Sequence, residues 1–205
     1  MVGSMNGERT LSGAMCDNGR RAPRELKNRM STISKDEAIL ALCRLGEVAR
    51  LAGANVELLL LGGGAMVLSF NARQSTKDLD VVILAPDDRA RVYEWAKQIA
   101  FELSWPDDWL NDAVKGFVVS GSDCKEVLSS PGIRVWVPAV EQLLAMKLCA
   151  WRDDVDIGDA RRLLRELTGS NEDIWRRVEP LLLPGRELKA RYAFADLWES
   201  THGDT

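Results

Sequence analysis

Two carboxylates and three glycines have the types and spacing to do chemistry together. Asp78 and Asp80 stand one residue apart at the start of the apolar run 79–84, and Gly62, Gly63 and Gly64 follow the apolar run 56–61. If 79–84 is a strand, positions 78 and 80 project on the same face. Together they can bind one or two hard cations. Magnesium suits such a pair, because it takes few carboxylates and fills its other positions with water and substrate phosphate oxygens. Two ions roughly 3.5–4 Å apart would clamp the attacking and leaving oxygens of an in-line displacement. Glycines in a strand-to-helix turn let backbone N–H groups approach a triphosphate. The implied chemistry is metal-dependent transfer of a phosphoryl-type group.

Two other phosphate sites fit less well. A dinucleotide turn would have its third glycine at position 67, which is Val67, and its acid at the carboxyl end of a strand, whereas Asp78 and Asp80 precede theirs. A P-loop would need Gly-Lys-Ser/Thr after the glycines, and none follows. An isolated Asp-x-Asp is common at a solvated strand start, and glycines also make plain turns. Strands on both sides separate this stretch from that background.

Other polar residues carry two readings each. Lys147 lies among Leu143, Leu144, Met146 and Leu148, where a lysine either snorkels to solvent or reaches a ligand. Arg152, Asp156 and Asp159 have the spacing of ordinary helix-surface pairs. Trp95, Trp136 and Trp175 fall on apolar faces and read as core, whereas Trp105 and Trp109 flank "PDD" and could line a groove. Arg161, Arg162, Arg165, Arg176 and Arg177 recur on the late helices and are candidates for contacting an RNA backbone, although acids are interleaved among them.

The elements that must position these residues alternate. "SKDE" is a capping box in which Ser34 caps a helix and Glu37 reaches back. Its apolar positions run to Gly53 and Asn55, which stop it. Residues 56–61 are too short and too evenly apolar for a surface helix and read as a buried strand. A short helix at 65–70, a polar loop at 71–77 and a strand at 79–84 follow. Pro86 and Asp87 open the next helix, and Pro106 with the acids after it predicts a shorter one over 106–117. Further strands are expected at 117–119 and 133–137. Helices are expected at 138–151, 158–168, 171–179 (capped by Ser170) and 186–199. The fold class is α/β, a small mixed sheet flanked by helices and followed by a C-terminal helical region. Residues 1–30 read as a mobile tail, 31–140 as the core and 141–205 as the helical region.

Composition narrows the function. The chain has 205 residues, 46% of them hydrophobic, enough for one compact domain, or one domain with a small helical appendage. A net charge of −4 gives no bulk nucleic-acid signature, so any such contact needs a local patch. No run approaches the roughly 18 apolar residues of a membrane span, and the N-terminus lacks a signal-peptide core. Four dispersed cysteines and one histidine, His202, argue against a zinc site and against histidine-based acid–base catalysis. A cytoplasmic location is expected.

"GGGAM…RQSTKDLDV" resembles the GG-x-A…R-x-x-T-x-D-x-D signature of the polymerase-β-like nucleotidyltransferase superfamily. "VPAVEQLLAMKLCAWRDDVDIGDARRLL" is similar to the helical segment of the AbiEii/MenT-type nucleotidyltransferase toxins of bacterial toxin–antitoxin systems. The resemblance spans 56–164, with both motifs in order. It implies a nucleotidyltransferase fold with Gly62, Gly63 and Gly64 as the phosphate turn and Asp78 and Asp80 holding Mg2+. It also implies that Lys147 reaches the triphosphate and that Arg73 and Thr76 face the nucleotide. An NTP substrate, the 3′ end of tRNA as acceptor and a cognate antitoxin are its implied partners. Two departures stand out. Gly63 replaces a common serine of the turn, and neither "FVV" nor "IRVWV" carries the superfamily's usual third acid. Asp159, or else Asp156, matches the toxin family's helical aspartate. Transfer to a protein or small molecule, or a non-catalytic module on the same scaffold, would use the same fold.

Overall fold

A computed structural model describes residues 32–112 and 123–203. The expected tail at 1–30 and strand at 117–119 lie outside the described residues. Two short strands, β1 (Ile33–Ser34) and β3 (Ser75–Thr76), pair antiparallel. The main sheet holds β2 (Val56–Leu60), β4 (Leu79–Ala85), β5 (Leu110–Asn111), β6 (Cys124–Ser130) and β7 (Ile133–Pro138) in the order β5-β4-β2-β7-β6. It is mixed: β2 runs parallel to β7 and antiparallel to β4, β5 parallel to β4, and β6 antiparallel to β7.

Around it lie α1 (Lys35–Leu51), α2 (Gly62–Leu68) and α3 (Arg89–Leu103), with α1 packed on α3 and β7 and α2 on β3 and β4. The capping box of α1 is present as expected, Ser34 and Glu37 bonding reciprocally. The C-terminal helices are α4 (Val140–Ala150), α5 (Asp154–Leu164), α6 (Asn171–Val178) and α7 (Glu187–His202), and α4 packs on the other three. Their apolar faces, including Leu144, Leu163, Val178 and Phe194, are continuous with the core of the sheet. The α/β class with a mixed sheet and a C-terminal helical region is the observed architecture.

Several expectations are corrected. The segment after Pro106 is not a helix in its described part: Leu110–Asn111 is a strand, with Leu110 opposite Leu79 and Asn111 opposite Asp80. Sheet pairing overrides the local helix signal there, because Trp109 and Leu110 are buried against the core. Trp105 and Trp109 therefore line no groove. Their rings meet edge to face at 5.5 Å, and Trp109 Nε1 donates to the Ala96 carbonyl. Helix α2 starts on the glycines themselves rather than at residue 65, and α5 starts four residues before residue 158. Strand β6 has no counterpart among the expected elements.

Candidate active site

One edge of the sheet collects the chemistry. Because β2 and β7 are parallel and β4 is antiparallel to β2, the carboxyl ends of β2 and β7 lie beside the amino end of β4. The glycines follow the first, α4 follows the second, and Asp78 and Asp80 mark the third. Leu61 N–H donates to the Asp80 carbonyl at 2.8 Å, which fastens the glycine turn directly to the aspartate strand. Strand β5 adds Asn111 beside Asp80 in register, and its Nδ2 donates to Asp78 Oδ2 at 3.0 Å. Nothing in the sequence alone marks Asn111, since its register depends on a strand that reads locally as helix.

The turn is built around side chains of its own chain. Gly62 has φ +51°, a left-handed conformation, and a Cβ there would collide with Asp80 Oδ2. A Cβ on Gly63 would strike Thr76 Oγ1 and Arg73 Nη2, and one on Gly64 would press on Leu60 and Leu79. The three glycines thus let Asp80, Thr76 and Arg73 close on the start of α2. Thr76 is buried and donates through Oγ1 to the Asp78 carbonyl at 3.1 Å. Of the residues expected to face a nucleotide, Arg73 and Thr76 lie against the same glycine.

Lys147 does not snorkel. Its side chain is nearly buried, and Nζ lies 3.0 Å from Asp156 Oδ1 and 2.7 Å from Asp159 Oδ2. Asp159 Oδ2 also lies 3.2 Å from Arg73 Nη2. Asp156 in turn accepts from Arg152 Nε at 2.9 Å. Five charges therefore alternate in a chain: Arg73, Asp159, Lys147, Asp156, Arg152. Burial pushes the Asp156 carboxyl up, but hydrogen bonds from Arg152 and Lys147, with the charges of both, hold it down to about 2. The spacing of 152, 156 and 159 allowed surface pairs, yet both aspartates are buried. A 2 or 3% exposed carboxylate needs partners, and these cations supply them.

Asp80 lies within the fields of this chain. Burial and then the neighbouring Asp78 charge push its pKa up, while Lys147, Arg152 and Arg73 pull it down. Two crowded carboxylates form a donor set that a hard cation relieves, and magnesium needs no more than one or two from the protein. Asp78 and Asp80 fit it on that ground. No third acid, histidine or cysteine joins them in a metal-binding group among the described residues. Asp159 stands with Lys147 and Arg73 instead.

The late arginines are spread and largely engaged. Arg162 pairs with Glu166, Arg176 with Asp173 at 3.2 Å and Arg177 with Glu141 at 2.9 Å. Arg161 Nη2 reaches Ser200 Oγ at 3.5 Å, and Arg165 is exposed. No described helix is long and apolar enough to cross a membrane.

The overall fold is similar to that of a solved structure, an antigenic nucleotidyltransferase-like protein from Paracoccidioides brasiliensis. The similarity has a TM-score of 0.50 with 15% identity and covers 82% of this chain and 90% of that one. The fold is nucleotidyltransferase-like. No family model and no curated protein matches the sequence. At that identity the likeness extends to the fold and leaves the site to be argued from its own residues.

Proposed function

We propose that the chain is a magnesium-dependent nucleotidyltransferase that moves a nucleotide from an NTP to the 3′ end of tRNA, as the toxin of a bacterial toxin–antitoxin pair. The observation that carries the transferase reading is the placement of Asp78 and Asp80 at a sheet edge, beside a glycine turn and within the fields of Arg73, Lys147 and Arg152. The similar fold of a nucleotidyltransferase-like protein supports it. The tRNA acceptor and the toxin role rest on the resemblance of the two sequence motifs.

In this reading Asp78 and Asp80 hold Mg2+, which supplies charge neutralisation on the phosphates. The glycine turn and Arg73 bind the triphosphate. Lys147, held by Asp156 and Asp159, keeps positive charge behind the site as the pyrophosphate departs. The acceptor oxygen forms a bond to the α-phosphorus, the bond to pyrophosphate breaks, and the acceptor proton passes to Asp80. Asp159 is already shared by two cations and serves to position them. Preorganised charge and orientation provide most of the acceleration.

A second reading keeps the fold and replaces tRNA by a protein or small molecule. It is favoured by the net charge of −4, which repels a polyanionic acceptor at long range. Incubating the purified chain with each labelled NTP, Mg2+, total tRNA and a cell extract separates the readings. Label on RNA supports the first and label on protein or small molecules the second. No label in any fraction overturns the transferase reading.

A further inference from the structure

Arg152 is placed unlike an ordinary surface arginine. It stands in the short link between α4 and α5, just before the N-cap Asp153. A cation at that end of a helix faces the positive pole of the macrodipole, which disfavours it. It is nevertheless tied down at its root. Asp156 Oδ2 accepts from the Arg152 backbone N–H at 3.3 Å and from Nε at 2.9 Å, while its Oδ1 takes Lys147 Nζ at 3.0 Å. The remaining contact, Arg152 Nη2 to Oδ1, is long at 3.5 Å. The Nε edge is committed and the outer fork is not: the side chain is 73% exposed, although the carboxylate that grips it is 2% exposed.

We propose that Arg152 binds a phosphate of the substrate and that Asp156 is the residue that positions it. The inference rests on the nucleotidyltransferase reading of the site. Three observations carry it. First, a pair that served only to satisfy Asp156 would not need to leave the guanidinium fork facing solvent. Second, Arg152 shares the Asp156 carboxylate with Lys147, whose Nζ also holds Asp159, so it is joined by direct contacts to the charged network beside the glycine turn. Third, the alternating chain has a cation at each end, Arg73 against the glycine turn and Arg152 in the open. Its two acids balance only two of its three cations. A guanidinium fork fixed at its root loses less freedom on binding and matches a phosphate bidentately. The phosphate belongs either to the NTP or to the acceptor strand, and the chemistry of recognition is the same.

Titrating the full chain in Mg2+ with inorganic tripolyphosphate and, separately, with a short single-stranded RNA distinguishes the sources. Arg152→Gln should weaken one of the two by roughly tenfold or more, the scale of one charge-assisted hydrogen bond, and, because the buried Asp156 keeps Lys147 but loses Arg152, should also lower the melting temperature. Weaker binding of tripolyphosphate assigns the interaction to the NTP, and weaker binding of RNA alone assigns it to the acceptor. Arg152→Lys should recover only part, because an ammonium cannot keep the Nε grip and face the ligand together. Asp156→Asn should weaken the same ligand, and by less in the Arg152→Gln background than in wild type. Simple additivity would mean that Asp156 acts through Lys147 alone and would remove its positioning role. Unchanged binding of both ligands by Arg152→Gln overturns the proposal, while transfer that is abolished in Asp80→Ala would still uphold the site. Failure of wild type to bind either ligand would bring down both.

Discussion

Asp80 and Lys147 occupy opposite kinds of environment, and their substitution should fail in opposite ways. Asp80 is half-exposed at the amino end of β4, with its side chain against Gly62 rather than in the core. Asp80→Ala should therefore abolish nucleotide transfer while the melting temperature stays near that of wild type, and Asp78→Ala should follow it. Comparable turnover by mutant and wild type at saturating Mg2+ would sink the metal-site reading. A lysine that only reached for phosphate could be truncated without cost to the fold, and the sequence alone suggests that for Lys147. The two buried acids flanking it reverse the expectation. Lys147→Ala leaves Asp156 and Asp159 short of a partner, and breaking a buried pair in this way costs about 3–5 kcal/mol. Chemical denaturation should register that destabilisation alongside the loss of activity. A Lys147→Met variant with wild-type stability and turnover would dissolve the charged chain as an explanation. Gly62→Ala should be destabilising too, by about 1–2 kcal/mol from its left-handed backbone alone, with Asp80 displaced in addition.

Between elements, the α4–α5 junction is held by charge as well as by packing, and acid tests it. Asp156 has its pKa lowered to about 2 from an ordinary value of 3.8. A carboxylate depressed on folding adds stability above its unfolded pKa and loses it as pH falls through the folded value. The contribution, about 2 kcal/mol by linkage, should be complete above about pH 4 and vanish toward pH 2. Asp156→Asn should remove that acid limb from a stability–pH profile, and an unchanged profile would refute the assignment. The junction also shows what the sequence could and could not reveal. Strands β2 and β4 are legible because their apolar runs are short, continuous and bounded by turn residues. Helix α1 is legible from its capping box. Strand β6, "CKEVLSS", is not, because it is an edge strand with mostly exposed side chains and no apolar alternation. Strand β5 reads locally as helix because Pro106 and its acids imitate a helix start, while pairing with β4 and burial of Trp109 decide the outcome. At the site, the glycines and Asp78–Asp80 announce themselves by type and spacing. Asn111 acts through a partner 33 residues away, which only the folded chain brings into contact, whereas the Arg152–Asp156 pair is legible from its spacing and only the burial of its carboxylate is not.

The molecule as a whole is acidic, with a net charge of −4, so binding of an RNA acceptor has to rely on local fields. Long-range repulsion of a polyanion would oppose it, and each phosphate would have to be held at short range. The late helices offer Arg161, Arg162, Arg165, Arg176 and Arg177, but exposed pairs with Glu166, Asp173 and Glu141 already screen three of them. Such surface pairs are weak, on the order of 0–1 kcal/mol, and an RNA phosphate can displace them at small cost. If tRNA is the acceptor, replacing Arg161, Arg165 and Arg176 by Gln should raise the KM for tRNA and leave NTP binding unchanged, because Arg161 contacts Ser200 and Arg176 contacts Asp173 rather than the residues of the glycine–aspartate edge. The slope of log K against log salt should fall by about 0.7–0.9 for each phosphate that the variant no longer neutralises. Retention of the wild-type slope and KM by that triple variant would move the acceptor away from α5 and α6. Absence of any salt-dependent RNA binding by wild type would instead favour a protein or small-molecule acceptor, and would leave the aspartate pair and its flanking cations as the common site of either transfer.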